Sequence, residues 1–265
     1  MVEIELDTRK SIEENAAVYF DKAKKLKKKL KGTEEALENS KEKLKKLEKK
    51  EEKETKIKAV KEEEKKQKES RKKQWYEKFR WFISSEGFLC IGGRDATTNE
   101  IVIKKHTDKD DIVFHTKMAG SPFFVIKTAG KKPDKITLEE TAAATLTFSR
   151  AWKLNIITAD VFYVNPEQVS KTPKSGEYLE KGAFIITGKM NIINPLIDLA
   201  IGILPDKSIM AGPVSAIKKN CEKYIELKQG KEKAGQIAKK IRARIGGDLD
   251  DIIRVLPSGE FEVKR

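Results

Sequence analysis

The chain has 265 residues, with 56 Lys or Arg against 42 Asp or Glu, and a formal net charge of +14. Its two cysteines, Cys90 and Cys221, are too few for a disulfide framework. The longest apolar stretch, residues 192–204, is interrupted by polar residues and too short to span a bilayer, and the acidic N-terminus does not resemble a secretion signal. We therefore expect a basic cytoplasmic protein, and the abrupt start suggests a piece of a longer one.

The charge is distributed unevenly along the chain. Residues 1–74 carry 25 basic and 18 acidic side chains, residues 75–205 carry 17 and 15, and residues 206–265 carry 14 and 9. Most of the aromatic residues lie in the near-neutral middle segment. The sequence therefore predicts a coiled-coil arm with a charged linker at 1–74, an α+β domain at 75–205 and a small basic C-terminal module at 206–265.

The first segment shows a heptad pattern. Small or apolar residues alternate in steps of four and three among lysines and glutamates, which predicts a coiled-coil seam of Ile12, Ala16, Tyr19, Ala23, Leu26, Leu30, Leu37, Leu44 and Leu47. After Leu47 the register is lost, and residues 49–73 are compatible with a solvated helix or with disorder. The seam needs a partner helix: a missing part of the protein, a second copy, or a fold-back onto residues 52–80.

The middle segment alternates strand and helix signals. Residues 81–92 predict a hairpin with its turn at Glu86-Gly87, and Asp95 is placed to cap a helix that ends near Lys105. A capping box at Thr137 predicts a helix to about Trp152. Further strands are predicted at 112–115, 122–127, 156–164, 183–187 and 197–204.

Two short helices are predicted near the C-terminus. Residues 231–245 form a basic amphipathic pattern stopped by two glycines, and Asp248 can cap a helix to Leu256. The whole pattern predicts an α+β fold: a mixed β-sheet domain with two or more helices, preceded by a long coiled-coil helix and followed by a small basic α/β module.

Catalytic motifs are missing from the sequence. It contains no HExxH, no GxSxG and no complete phosphate-binding loop. The one dense group of candidate ligands is the run 106–115, whose Asp and His residues could hold a divalent ion, although we favour a simpler explanation, an Asp-rich turn between helix and strand. We expect no enzymatic activity, no cofactor and no metal; a metal-dependent hydrolase is the least favoured alternative.

Several runs of sequence resemble a known family. Residues 75–82 (WYEKFRWF) and 91–95 (IGGRD) closely resemble the NFACT-R domain of the NFACT family of ribosome-quality-control factors. The similarity continues at 111–115, 148–152, 169–172, 176–179 and 188–191, and residues 6–26 resemble the start of the family's coiled coil. The chain therefore resembles the coiled-coil segment and NFACT-R domain of an archaeal-type member that lacks the family's N-terminal domain.

The resemblance implies a function in translation. Members of the family bind large ribosomal subunits stalled with a peptidyl-tRNA, and their NFACT-R domain is a non-catalytic, RNA-binding part. Residues 115–121 read HTKMAGS where many relatives read HADxHGA, so only His115 and Gly120 carry over from that motif. The implied partners are large-subunit RNA and tRNA, with a possible partner helix for the seam and no membrane.

Basic residues interleave with aromatic residues in the middle segment, a pattern that suits phosphate and base contacts. The helix predicted to open at Asp95 also offers free backbone N–H groups beside Arg94. The predicted RNA-binding residues are Arg94, Asp95, Asn99, Lys104, Lys105, His115, Lys117, Lys153, Lys171 and Lys189. The main alternative is a scaffold that dimerises or docks a protein through the coiled-coil seam.

Overall fold

The computed structural model describes residues 3–70, 73–172 and 179–264, with the backbone alone at 36 and 46–70. The chain forms two units, Met1–Ser70 and Arg71–Arg265. No helix within the described ranges has the length and apolarity needed to cross a membrane. The helices in these ranges are α1 (Ile12–Ser70), α2 (Ala96–Lys105), α3 (Lys135–Thr147), α4 (Arg150–Lys153), α5 (Val214–Asn220), α6 (Ala234–Ile245) and α7 (Leu249–Val255).

The strands in the described ranges are β1 (Arg80–Ile83), β2 (Leu89–Gly92), β3 (Ile112–Thr116), β4 (Phe124–Lys127), β5 (Val161–Val164), β6 (Val169–Ser170), β7 (Ile185–Ile186), β8 (Asn191–Ile193), β9 (Leu199–Ile203), β10 (Ile209–Gly212), β11 (Lys223–Lys233) and β12 (Glu260–Val263). They form three antiparallel sheets with the orders β1-β2-β4-β3-β5-β8, β10-β9-β11-β12 and β6-β7. The predicted α+β class is confirmed.

The first unit is the single helix α1 and the segment before it. Ser11 caps the start of the helix. Its hydroxyl accepts the Glu14 N–H at 3.1 Å, and the Glu14 carboxylate accepts the Ser11 N–H at 2.9 Å. Asn15 is buried, and its side chain accepts the Asp7 N–H and donates to the Asp7 carbonyl, which folds the leading segment onto the helix. The helix continues past the loss of heptad register to Ser70, so the helical alternative for residues 49–70 is confirmed.

The first sheet follows the predicted order of elements up to α3. The β1–β2 hairpin turns through Gly87, whose φ of +88° is in the left-handed region that glycine adopts readily. Asp95 caps α2 as predicted, with its carboxylate accepting the Thr98 N–H at 2.8 Å. The predicted capping box at Thr137 is wrong: α3 begins at Lys135, and the buried Thr137 hydroxyl instead contacts the side chains of Ser84 and Glu86.

Several elements differ from the predicted boundaries. The predicted helix to Trp152 is divided in two: α3 ends at Thr147, and Ser149 caps the start of α4 by accepting the Ala151 N–H. Strand β5 starts only at Val161, and residues 231–233 belong to β11 rather than to α6. Six elements have no counterpart in the predicted pattern: β6, β8, β10, α5, β11 and β12. The long strand β11 was missed because its buried residues alternate with lysines and glutamates over only part of its length.

The two larger sheets share one hydrophobic core. Phe82 on β1 is fully buried, lies 6.2 Å from the Phe124 ring (centroid to centroid) and packs against Gly212 of β10. The second sheet takes β9 from before residue 206, and β9 pairs with both β10 and β11. The domain boundaries drawn from the charge distribution stay predictions.

We predict that Phe82→Ala lowers the free energy of unfolding of the second unit by about 3–5 kcal/mol, the range for removing a buried aromatic side chain. The ring fills space between β4 and β10, so its loss leaves a cavity in the shared core. Urea denaturation followed by tryptophan fluorescence measures the change. The matched control is Leu154→Ala, because Leu154 is exposed and its truncation should change stability by less than about 0.5 kcal/mol.

Candidate nucleic-acid interface

A cavity of about 620 Å³ lies at the start of α2. Three stretches supply nearly all of its lining: residues 93–96 before and at the start of α2, residues 115–123 after β3, and residues 180–186 leading into β7. These stretches are distant in the sequence and meet only in the folded unit. Five of the ten predicted RNA-binding residues line this cavity: Arg94, Asp95, Asn99, His115 and Lys117.

Asn99 attaches one wall of the cavity to α2. Its side-chain oxygen accepts the Phe123 N–H at 3.0 Å, and its amide nitrogen donates to the Ser121 carbonyl at 3.4 Å. A Cβ on Gly93 would lie 1.9 Å from the Asn99 side-chain oxygen, so the close approach of this turn requires glycine. Asn99 therefore shapes the cavity and is buried itself.

Glu100, the next residue of α2, attaches the opposite wall. Its carboxylate binds Lys171 Nζ at 2.6 Å and Lys104 Nζ at 3.1 Å, and it accepts the Gly182 N–H at 3.0 Å. These three donors lower the pKa of Glu100 to about 2, with the Lys171 hydrogen bond contributing most. The backbone at Gly182 passes so near to α2 that a Cβ there would lie 2.7 Å from Ala96 Cα.

The side chain of Arg94 connects distant parts of the second unit. One Nη donates to the Arg254 carbonyl at 2.9 Å and the other donates to the Phe79 carbonyl at 3.1 Å, which joins β1, α2 and the end of α7. Burial, together with the charge of Arg254, lowers its pKa to about 10, so the guanidinium remains charged at neutral pH. Within the described residues its Nε is buried without a hydrogen-bond partner.

His115 lies among aromatic rings in the lining. Its imidazole stacks on Phe123 with ring centroids 4.2 Å apart and planes at 27°, and Nδ1 lies 2.7 Å from the Thr116 carbonyl. Burial lowers the pKa of His115, and the carbonyls of Thr116 and Ser121 oppose that shift only partly. The imidazole is therefore largely neutral at pH 7 and offers a flat, uncharged face.

Two exposed lysines contribute positive charge to the lining. Lys117 Nζ lies 2.8 Å from the Asp160 carboxylate, an exposed ion pair that a competing anion can open at little cost. Lys181 is exposed beside Gly182. Lys181 is not among the residues predicted from the sequence. Its position next to a glycine, which indicates a loop, was the available signal.

The other predicted residues lie elsewhere. Lys104 and Lys171 bind Glu100 and so support one wall of the cavity. Lys105 and Lys189 are exposed on the surface. Lys153 lines a different cavity, of about 350 Å³, with Trp152 and Lys233. The structure therefore does not bring the ten residues into one continuous site.

The run 106–115 does not form a cluster of ligands. Lys127 Nζ binds the carboxylates of both Asp108 and Asp111, while His106 stacks on Trp75 with centroids 4.5 Å apart. His115 contacts a separate set of aromatic rings. In the part of the chain that the structure describes, no three His, Cys, Asp or Glu residues are grouped to hold a metal ion.

The exposed lysines in the lining of this cavity suit an anionic partner. Residues 78–188 match the family model described as the NFACT protein RNA binding domain. The chain carries an RNA-binding domain of this type and belongs to the NFACT family, which confirms the resemblance seen in the sequence.

Relatives with curated names support this assignment. The chain is 45% identical over 200 residues to the archaeal Rqc2 homolog aRqcH of Methanocaldococcus jannaschii, which covers 73% of this chain and 30% of that protein. It is 44% identical over 127 residues to the human ribosome quality control complex subunit NEMF, covering 48% of this chain and 12% of NEMF. The chain thus spans less than a third of the length of these relatives.

One solved structure gives a weaker likeness. The C-terminal part of the fibronectin/fibrinogen-binding protein from Streptococcus suis superposes with a TM-score of 0.39 and 18% identity, covering 47% of this chain and 46% of that chain. A TM-score this low does not establish a shared fold.

We predict that Glu100→Gln loosens the loop around Gly182. The Glu100 pKa is lowered from 4.5 to about 2, so the ionised carboxylate stabilises the folded loop above about pH 4.5, and this contribution is lost as the pH falls toward 2. The protection factor of the Gly182 amide, its intrinsic exchange rate divided by its measured rate at the same pH, should therefore fall over that range in the unsubstituted chain. In Glu100→Gln the protection factor should already be lower at neutral pH and should depend much less on pH.

The matched control is Glu139→Gln on α3, which removes an exposed carboxylate paired with Lys135. Exchange at Gly182 should be unchanged in that variant. Equal protection of Gly182 in Glu100→Gln and in the unsubstituted chain would contradict the role given to this carboxylate.

Proposed function

We propose that the chain is the RNA-binding part of a cytoplasmic ribosome quality control factor, which binds stalled large ribosomal subunits and peptidyl-tRNA without catalysing a reaction itself. One observation carries the proposal. The cavity lined by Lys117 and Lys181 is built entirely from residues 93–186, inside the segment 78–188 that matches the RNA-binding family model. The names of the relatives supply the ribosomal context.

The charge of the chain agrees with an RNA partner. A net charge of +14 favours binding to a polyanion, and lysines that neutralise phosphates release condensed counterions. The exposed lysines Lys105, Lys117, Lys153 and Lys189 remain our proposed phosphate contacts. Arg94, Asn99, Lys171 and Lys104 contribute by holding the walls of the cavity, because their polar groups are engaged within the protein.

We predict opposite effects for the two partners of the Lys117–Asp160 ion pair. Lys117→Gln should weaken binding to purified large ribosomal subunits and free tRNA, and should reduce the slope of log K against log salt by about 0.7–0.9 for each lost phosphate contact. Asp160→Asn should strengthen binding, because it releases Lys117 from its 2.8 Å partner. Binding titrations across a salt series measure both changes.

Lys135→Gln is the control, because Lys135 is an exposed lysine on α3 that does not line the cavity. In the double variant with Lys117→Gln, the gain from Asp160→Asn should disappear. If Asp160→Asn strengthens binding equally with and without Lys117, this lysine does not contact RNA. If the unsubstituted chain binds neither subunits nor tRNA, the proposed function is wrong for this chain.

A second candidate function rests on α1. Apolar side chains of the predicted seam are more than half exposed in the first unit, where water contacts them at a cost in free energy: Ile12, Leu26, Leu30, Leu37 and Leu44. The side chain of Leu47 lies outside the described residues. We propose that this seam binds a partner helix, through which the chain dimerises or docks.

We predict that Leu26→Lys with Leu30→Lys abolishes concentration-dependent association of the chain, since both residues are 60% exposed or more on the seam. Sedimentation velocity at several protein concentrations measures the oligomeric state. The matched control, Glu35→Lys with Glu42→Lys, adds two lysines on the outer face of the same helix and should leave association intact. Identical sedimentation of all three proteins as monomers would contradict self-association through the seam.

A further inference from the structure

The interior of the 620 Å³ cavity differs chemically from its mouth. Aromatic and aliphatic side chains dominate the interior, and Phe123 contacts the Phe184 ring edge-on with centroids 5.2 Å apart. The charged groups in the lining include two exposed lysines, Lys117 and Lys181. The cavity therefore offers flat apolar faces inside and positive charge beside solvent.

The cavity has the dimensions of a site for a small ligand. Pockets that bind small molecules and cofactors measure roughly 300–1,000 Å³ and are mostly apolar with a few placed polar groups. His115, which is partly exposed and stacks on the buried Phe123, and the partly exposed Phe184 supply planar rings to the lining, and the largely neutral imidazole does not add charge there. A planar heterocycle is the kind of group that such surfaces bind.

Positive charge alone does not explain this cavity. Arg94 donates to two carbonyl groups, Lys117 is paired with Asp160, and the lining also contains the carboxylates of Asp95 and Glu180. A site for a bare polyphosphate would hold more free cations and fewer carboxylates. Carboxylates suit a ligand that also carries N–H or O–H donors, as the amino group of a base and the 2′-hydroxyl of a ribose do.

We propose that the cavity binds one unpaired RNA nucleotide, with its base among the aromatic side chains and its phosphates at Lys117 and Lys181. The proposal rests on the proposed function and adds the element of RNA that this site selects. Paired bases in an A-form helix are stacked and cannot enter such a cavity, whereas a bulged or terminal base can. The site therefore discriminates between RNAs by the presence of an unpaired nucleotide.

Ala119→Phe tests the proposal in the full chain. Ala119 lines the cavity and is exposed, so a larger side chain there can fill the space without entering the hydrophobic core. Ala243→Phe is the matched control, because Ala243 is exposed on α6 and does not line the cavity. Phe184→Leu is a second variant, which keeps apolar volume at the partly buried position and removes the ring.

The probes are two blunt-ended RNA duplexes of matched sequence, one fully paired and one with a single bulged 2-aminopurine. We expect the unsubstituted chain and Ala243→Phe to bind the bulged duplex about 10-fold more tightly, in the range of one base–aromatic stack, with a change in 2-aminopurine fluorescence. Ala119→Phe and Phe184→Leu should bind the two duplexes with nearly equal affinity. Their affinity for the paired duplex should match that of the unsubstituted chain.

Equal binding of both duplexes by the unsubstituted chain would overturn the nucleotide site and leave the proposed RNA binding in place. A preference that survives in both Ala119→Phe and Phe184→Leu would overturn it as well. Failure of the unsubstituted chain to bind either duplex, the large subunit or tRNA would instead reject the proposed function, and the nucleotide site with it.

Discussion

Two consecutive residues of α2, Asn99 and Glu100, hold the opposite walls of the cavity. Asn99 binds the backbone at Ser121 and Phe123, and Glu100 binds Lys171 and the backbone of Gly182. Both depend on the position of α2, which begins where Asp95 caps its first turn. Because side chains on one helix turn bind both loops, the cavity requires α2 to be formed and placed.

The charged side chains that line the cavity fall into two groups, those that bind other parts of the protein and those that can bind a ligand. The guanidinium of Arg94 donates to the carbonyl groups of Phe79 and Arg254, and so connects the end of α7 to the residue before β1. Lys117, in contrast, is exposed, and its Nζ binds the carboxylate of Asp160 at the surface. Such exposed pairs contribute little to stability, so this lysine can exchange its partner for a phosphate.

The two units are stabilised by different interactions. The second unit buries a continuous apolar core beneath two sheets, including Phe82, Phe124 and Trp152. The first unit has no such core within its described residues, and the apolar residues of its predicted seam stay largely in water. Its helix is stabilised by propensity and by the contacts of Ser11, Glu14 and Asn15 at its start, and the partner helix that we propose would cover its seam.

The sequence by itself determined the α+β class, the long helix, the Asp95 cap and the family, because each depends on local periodicity, on a cap a few residues long or on contiguous motifs. It also named Asn99, His115 and Lys117, which the structure places in the lining of one cavity, and it predicted that Arg94 contacts RNA, whereas in the structure the Arg94 guanidinium donates to two carbonyl groups. It missed Lys181, β11 and β12. Only the tertiary structure decided these points, since pairing of distant strands and the partners of a charged side chain depend on contacts between residues far apart in the chain.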